Sequence, residues 1–223
     1  MNKKILIIAA HPDDEILGAG GVIIKHIKNN DEVYCLILGE GEKSRVQESS
    51  EEKIFELHNQ ARNAAKIIGF KEIYFENLPD NEFDSISLLK ITKKVERYIN
   101  KIQPDIVYTH YENDLNIDHC LTFQAVITAC RPCNNNCPKE IYCFEVLSST
   151  EWQLQGEKFK PNVYINIENE IEGKIQALQA YASELRNYPH PRSEEGIKIL
   201  AKYRGLECGK KCVEAFYLVR SIN

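Results

Sequence analysis

The segment AHPDDE at residues 10–15 sets an imidazole and three carboxylates directly behind an apolar run, ILIIAA. Burying that much charge without a counter-ion is costly, so the residue types point to a cation. His11 and Asp14, three residues apart around a turn, face one way and can hold a single divalent ion. A catalytic zinc commonly takes three protein ligands and keeps a position open for water. His119, in NIDH at residues 116–119, is the best candidate for the third ligand. A His/His/Asp set suits Zn2+, and iron, cobalt or manganese also bind N/O sites of this kind.

Two other readings stay open at this point. Asp13 or Asp14 is a candidate helix cap, since aspartate is favoured at N-caps and acidic residues suit a first turn. Gly18, Gly20 and Gly21 resemble a dinucleotide-binding loop, but there the glycines follow the strand immediately. Here a charged pentapeptide intervenes, and its carboxylates would face pyrophosphate. Close packing of a helix against a sheet is the simpler use of these glycines.

The elements that must position these groups are legible as apolar runs bounded by turn residues. Strands are expected at 5–10, 33–38, 72–77, 105–110 and 141–146, with helical patterns between them at 16–28, 47–68, 85–102 and 121–130. Further strands at 163–167 and 215–220 bracket helices expected at 168–187 and 194–203, joined by the YPHPRS loop. Alternating strands and helices imply an α/β fold, Rossmann-like, with a mostly parallel sheet and helices on both faces. In such sheets ligands bind at the carboxyl ends of the strands. AHPDDE and HYENDLNIDH at 110–119 both fall there. Residues 1–223 read as a single domain, without repeats or linkers.

Composition narrows the function classes. Twenty-eight basic residues against 33 acidic give a formal charge of -5, so no nucleic-acid partner is expected. The first apolar run is too short for a signal-peptide core or a transmembrane segment, and a cytoplasmic location is inferred. Eight cysteines with no export signal are expected as reduced thiols. Cys130, Cys133 and Cys137, with Cys143 or the Cys208/Cys212 pair, offer an alternative structural zinc site. Only Cys130 and Cys133 have the spacing of a zinc ribbon pair.

AHPDDE and NDLNIDH at 113–119 resemble the two motifs of the PIG-L or LmbE-like zinc-dependent deacetylases, and the resemblance covers nearly the whole chain. It implies hydrolysis of an N-acetyl group from an amino sugar or its conjugate, a small-molecule partner. Carried over by position, His11, Asp14 and His119 would bind zinc and Asp13 would be the general base. Asp118 would orient a ligand ring from outside; capping its own loop is the plain alternative. Arg45, in GEGEKSR, and Asp80, in NLPDNEFD, would contact sugar hydroxyls or phosphate. Many relatives carry a second histidine three residues before the last ligand, where this chain has Asn116. An asparagine can donate to an oxyanion but cannot shuttle a proton, which leaves an acid role to Asp13, His110 or His190. In the PHPRS segment at 189–193, His190, Arg192 and Ser193 would grip an anionic or hydroxylated group; the alternative is a stiff connector with Ser193 capping the next helix. Relatives often form trimers or hexamers, so a homo-oligomer is expected. Two competing functions remain: a metal-dependent phosphoesterase, which usually needs more carboxylates or a second metal, and a noncatalytic carbohydrate- or nucleotide-binding protein.

Overall fold

A computed structural model describes residues 2–41, 51–133 and 136–222. Its centre is β1 (Lys4–Ala9), every residue of which from Ile5 onward is fully buried. That burial explains why ILIIAA shows no alternation: both faces of the strand are covered. Ile5 and Ile7 pack on one side with helices α1 (Asp14–Lys28), α2 (Glu51–Ile68), α5 (Ile171–Gln179) and α6 (Glu194–Cys208). Leu6 and Ile8 pack on the other with α3 (Leu88–Ile102) and α4 (Ile117–Ala129).

The remaining strands are β2 (Glu32–Gly39), β3 (Glu72–Leu78), β4 (Ile106–His110), β5 (Glu140–Phe144), β6 (Val163–Asn166) and β7 (Val213–Ser221). They lie in the order β3-β2-β1-β4-β5-β7-β6, the first five parallel and β7 antiparallel to both its neighbours. The strand order reverses around β1 and β4, and loops leaving the carboxyl ends of these two carry both charged motifs. This is the crevice where open parallel sheets hold ligands. Among the described residues no helix is long and apolar enough to cross a membrane.

Several elements differ from expectation at their ends. The helix expected at 168–187 is only α5, because the chain turns so that Tyr181 enters the core, 0% exposed, and its hydroxyl donates to Glu15 Oε1 at 2.5 Å. Helix α4 begins four residues before the apolar pattern does, since its first turn is made of site residues. Helix α6 runs on to a Gly209 cap at φ 71°. The expected start of α2 at residue 47 lies outside the described residues.

The glycines of α1 serve packing. A Cβ on Gly18 would meet the Phe144 ring at 2.2 Å, and one on Gly21 would meet Ile167 at 2.8 Å. They face the sheet and its neighbours, away from any pyrophosphate position, which removes the dinucleotide reading. Beside them a buried ion pair clasps the helix. Lys174 Nζ donates to Leu17 O and to Glu214 Oε1, each at 2.7 Å, while the Glu214 carboxylate accepts from the Gly21 and Val22 N–H groups at 2.8 and 2.7 Å. Removing one partner of a buried pair leaves an uncompensated charge, costing about 3–5 kcal/mol. Lys174→Met is therefore expected to lower unfolding free energy by about that much in a urea titration; a loss near zero would show that the pair does not secure α1.

Candidate active site

The three acidic residues of AHPDDE part company as the chain turns from β1 into α1. Asp13 takes the N-cap position of α1 at φ 98°, a left-handed backbone strained for a non-glycine residue, yet its side chain makes no cap bond. Helix capping therefore does not explain it. Asp13 Oδ2 instead accepts from Arg192 Nη1 at 2.8 Å. Asp14 turns the opposite way, its Oδ2 accepting from the His11 N–H at 2.9 Å. Glu15 points inward, taking the Tyr181 hydroxyl and the Asp13 N–H; burial pushes its carboxyl up to about 7.

His119 sits in the first turn of α4, which is started by Asn116: its Oδ1 accepts from the Asp118 N–H at 2.8 Å. This cap aims His119 back toward β1. Asp14 Oδ2 then lies 3.4 Å from His11 Nδ1 and 3.3 Å from His119 Nε2, and one ligand-capable atom from each of the three residues falls within 4.8 Å of the others. The outward nitrogens of both rings meet further carboxylates. His11 Nε2 is 2.9 Å from Asp118 Oδ2, and His119 Nδ1 is 3.1 Å from Asp114 Oδ1. Asp114 is itself held by Ser149 Oγ, by Thr150 Oγ1 at 2.5 Å and by the Asn116 N–H at 2.8 Å.

Two features of this cluster fit a divalent cation. Asp14 Oδ1 and His119 Nε2 are buried without a hydrogen-bond partner among the described residues, a costly arrangement that a ligated ion removes. Carboxylates behind both imidazoles are the usual support of metal-binding histidines. The electrostatics agree. Burial opposes charge on the imidazoles, yet Asp118 and Asp14 outweigh it and raise His11 to about 10, and Asp14 and Asp114 raise His119 to about 9. Burial likewise opposes charge on Asp14, but His119 and His11 hold it well below the usual carboxylate range. The site favours positive charge at its centre.

His110, fully buried, is not equipped to be an acid. Its Nε2 accepts from the Ala10 N–H at 2.8 Å, burial holds it neutral well below its ordinary value, and its ring stacks on His119 at 3.9 Å. A second group, His11, Asp80 and Asp118, also brings ligand-capable atoms together. Asp118 is already taken, however: besides His11 it accepts from the Asn81 N–H at 2.7 Å and the Phe83 N–H at 3.0 Å. It therefore stands behind the His11 ring and ties down the loop after β3, whereas its own turn is capped by Asn116. Neither group contains a cysteine.

Beside the cluster opens a small cleft of about 60 Å³ bounded by His11, Asp13, Asp80, Asn116, Glu184 and Arg192. Asp80 Oδ1 comes 3.4 Å from His11 Nε2. Asn116 Nδ2 donates to Asn81 Oδ1 at 2.8 Å. Arg192 is fixed by Ser148 Oγ at 2.8 Å from Nε and approaches Glu184 at 3.7 Å. In the PHPRS segment Ser193 Oγ caps α6 by accepting from the Gly196 N–H at 3.0 Å, as the connector reading expects. His190 lies off the cleft lining, its Nδ1 accepting from the Arg192 N–H at 3.1 Å. Arg45 lies outside the described residues. Sequence reasoning missed Asp114, which stood inside NDLNIDH, and Glu184, which carried no motif.

Residues 6–130, more than half of the chain, match the family model of PIG-L, described as GlcNAc-PI de-N-acetylase. The chain belongs to the PIG-L family. Among PIG-L relatives, the diacetylchitobiose deacetylase of Thermococcus kodakarensis is 26% identical over 99% of this chain and 84% of its own. A probable N-acetyl-alpha-D-glucosaminyl L-malate deacetylase 2 of Bacillus anthracis is 22% identical over 82% of this chain and 81% of its own. In fold the chain is similar to the N,N'-diacetylchitobiose deacetylase of Pyrococcus horikoshii, with a TM-score of 0.79 at 23% identity, covering 97% of this chain and 84% of that one. Deacetylases of the PIG-L family are metal-dependent, in keeping with the donor set above.

Carboxylates behind metal-binding imidazoles typically contribute 10–100-fold to metal affinity. Asp114→Asn and Asp118→Asn are each expected to weaken metal retention by about that factor against a competing chelator, with the fold intact by circular dichroism. Asp14→Ala is expected to retain no stoichiometric metal by elemental analysis.

Proposed function

We propose that the chain hydrolyses the N-acetyl group of an amino sugar or its conjugate, with Zn2+ held by His11, Asp14 and His119 and Asp13 acting as general base. The observation that carries this reading is the position of Asp13. It is 1% exposed, next to a cation-favouring cluster but turned from it, and it borders the cleft a substrate would enter. A protein that only bound a sugar would gain nothing from holding a carboxylate there on a strained backbone.

A bound divalent ion supplies Lewis acidity toward the amide carbonyl and lowers the pKa of water to near neutrality. The chain's residues do the rest. Arg192 holds Asp13 Oδ2, which leaves Oδ1 to take a proton from the attacking water. Burial raises Asp13 above the usual carboxylate range even against the pull of Arg192, so the acid form it reaches is stable enough to return the proton to the departing amine. Asn116 spends its oxygen on the α4 cap and one amide hydrogen on Asn81; its second hydrogen is the donor for the developing oxyanion. Arg192, expected from sequence to contact substrate, is in this reading the group that aims the base. Asp80 and Arg45 are the proposed contacts to sugar hydroxyls.

Acetate release from N-acetylglucosamine conjugates tests the proposal, and its absence from every conjugate by the metal-loaded protein would refute it. Asp13→Asn is expected to keep its metal and lose about 10²–10⁴-fold in kcat. Arg192→Ala is expected to lose roughly 10²-fold, mainly in kcat, because misplacing a reacting group by about 1 Å has that effect.

A further inference from the structure

A second cavity, of about 250 Å³, lies at the opposite edge of the sheet from the cation cluster, between the second half of α1 and the starts of β4 and β5. It shares no lining residue with the cleft. Val22 and His26 line it from 8 and 12 residues beyond Asp14 along α1, roughly 12 and 18 Å at 1.5 Å per residue. A molecule held there touches none of the reacting groups. A cavity of about 150 Å³ accepts benzene, so this one has room for a single ring with a small substituent.

One wall is aromatic. Tyr108, 2% exposed, and Tyr142 stack with ring centroids 5.1 Å apart and planes inclined by 18°. Val22, Ile106 and Ile165 add apolar surface beside them. Aromatic rings pack on such walls with a gain beyond the area they bury.

The rest of the lining has one positive charge in excess. Lys3 and Lys25 stand against a single carboxylate, Glu140, whose Oε2 already accepts from the Tyr142 hydroxyl at 2.7 Å. Lys25 Nζ spends one of its three donors on Asn166 O at 2.9 Å. Lys3 Nζ makes no hydrogen bond or ion pair among the described residues. His26 adds no charge: its Nδ1 donates to Asp31 Oδ2 at 2.8 Å, Nε2 then accepts from the Tyr108 hydroxyl at 3.1 Å, and burial holds the ring below its ordinary value. Asp31 stands behind that ring, outside the lining, and its other oxygen accepts from the Lys3 backbone N–H at 2.9 Å.

We infer that this cavity binds a single-ring aromatic monocarboxylate, its ring against Tyr108 and Tyr142 and its carboxylate reaching Lys3 and Lys25. A phosphate monoester, with nearly two negative charges at neutral pH, exceeds what the lining neutralises. A neutral ring leaves the Lys3 ammonium without a partner.

Calorimetric titration of the metal-loaded protein with benzoate, benzamide and hexanoate tests the assignment. Acetate buffer is used, so that acetate fills any carboxylate position at the cation cluster. Benzoate is expected to bind about tenfold more tightly than benzamide, the gain of a hydrogen bond to a charged group. It is expected to bind about three- to tenfold more tightly than hexanoate, which has no ring to stack. Lys3 is exposed, so Lys3→Ala leaves the core untouched; it is expected to weaken benzoate about tenfold and benzamide by less than about threefold. Tyr142→Leu is expected to weaken both ring compounds about three- to tenfold and to leave hexanoate within about twofold, with circular dichroism reporting the fold. If Tyr142→Leu does not fold, the Lys3→Ala contrast decides alone. The absence of saturable binding of benzoate, or an affinity that Lys3→Ala leaves unchanged, would overturn the inference. So would hexanoate or benzamide binding as tightly as benzoate, the first refuting the aromatic wall and the second the charge.

Discussion

Everything at the carboxyl edge of the sheet depends on the electrostatic bond between one fully buried carboxylate, Asp14, and the two imidazoles that face it. Placing such a carboxylate in a low-dielectric interior is unfavourable by several kcal/mol unless positive charge is close. The fold supplies the partners from two places more than 100 residues apart, the turn after β1 and the first turn of α4. Pairing β1 with β4 brings those turns together. The parallel register of Ile5 with Ile106 is thus as much part of the site as the ligands are.

Around this pair the chain arranges carboxylates in graded roles by direction alone. Asp13, Asp14 and Glu15 are consecutive, yet one faces the cleft and Arg192, one the imidazoles and one the Tyr181 hydroxyl. Consecutive residues at a helix start diverge by about 100° each, and the left-handed turn at Asp13 adds to the separation. Three like charges thereby avoid a shared volume.

Much of this was legible in the sequence. The continuous apolar runs gave the buried strands, and their position before AHPDDE and NDLNIDH placed the chemistry at the correct sheet edge. The grouping of His11, Asp14 and His119 followed from residue type and spacing. What escaped has a common cause, which is that tertiary contacts leave no periodic trace. Tyr181 ends α5 early because its hydroxyl is needed by Glu15, a partner 166 positions away. Asp114 is one polar residue among several in a loop until Ser149 and Thr150 close around it. Arg192 was visible as a charged loop residue, but only the folded loop shows that it grips a carboxylate of its own chain.

Asp118 has a consequence for how such an enzyme can diversify. One carboxylate accepts from His11, from Asn81 and from Phe83, so the loop that offers Asp80 to the cleft shares its anchor with a ring of the cation cluster. Remodelling that loop would disturb the cluster at the same time, which makes it poor ground for new specificity. The stretch from Trp152 to Lys158 reaches the site through the Gln153 bond to the Asp114 backbone carbonyl and the Trp152 ring against His190, without holding a member of the cation cluster by its side chain, and is open to drift. Lineages derived from this scaffold should vary there and stay uniform around residues 80–83.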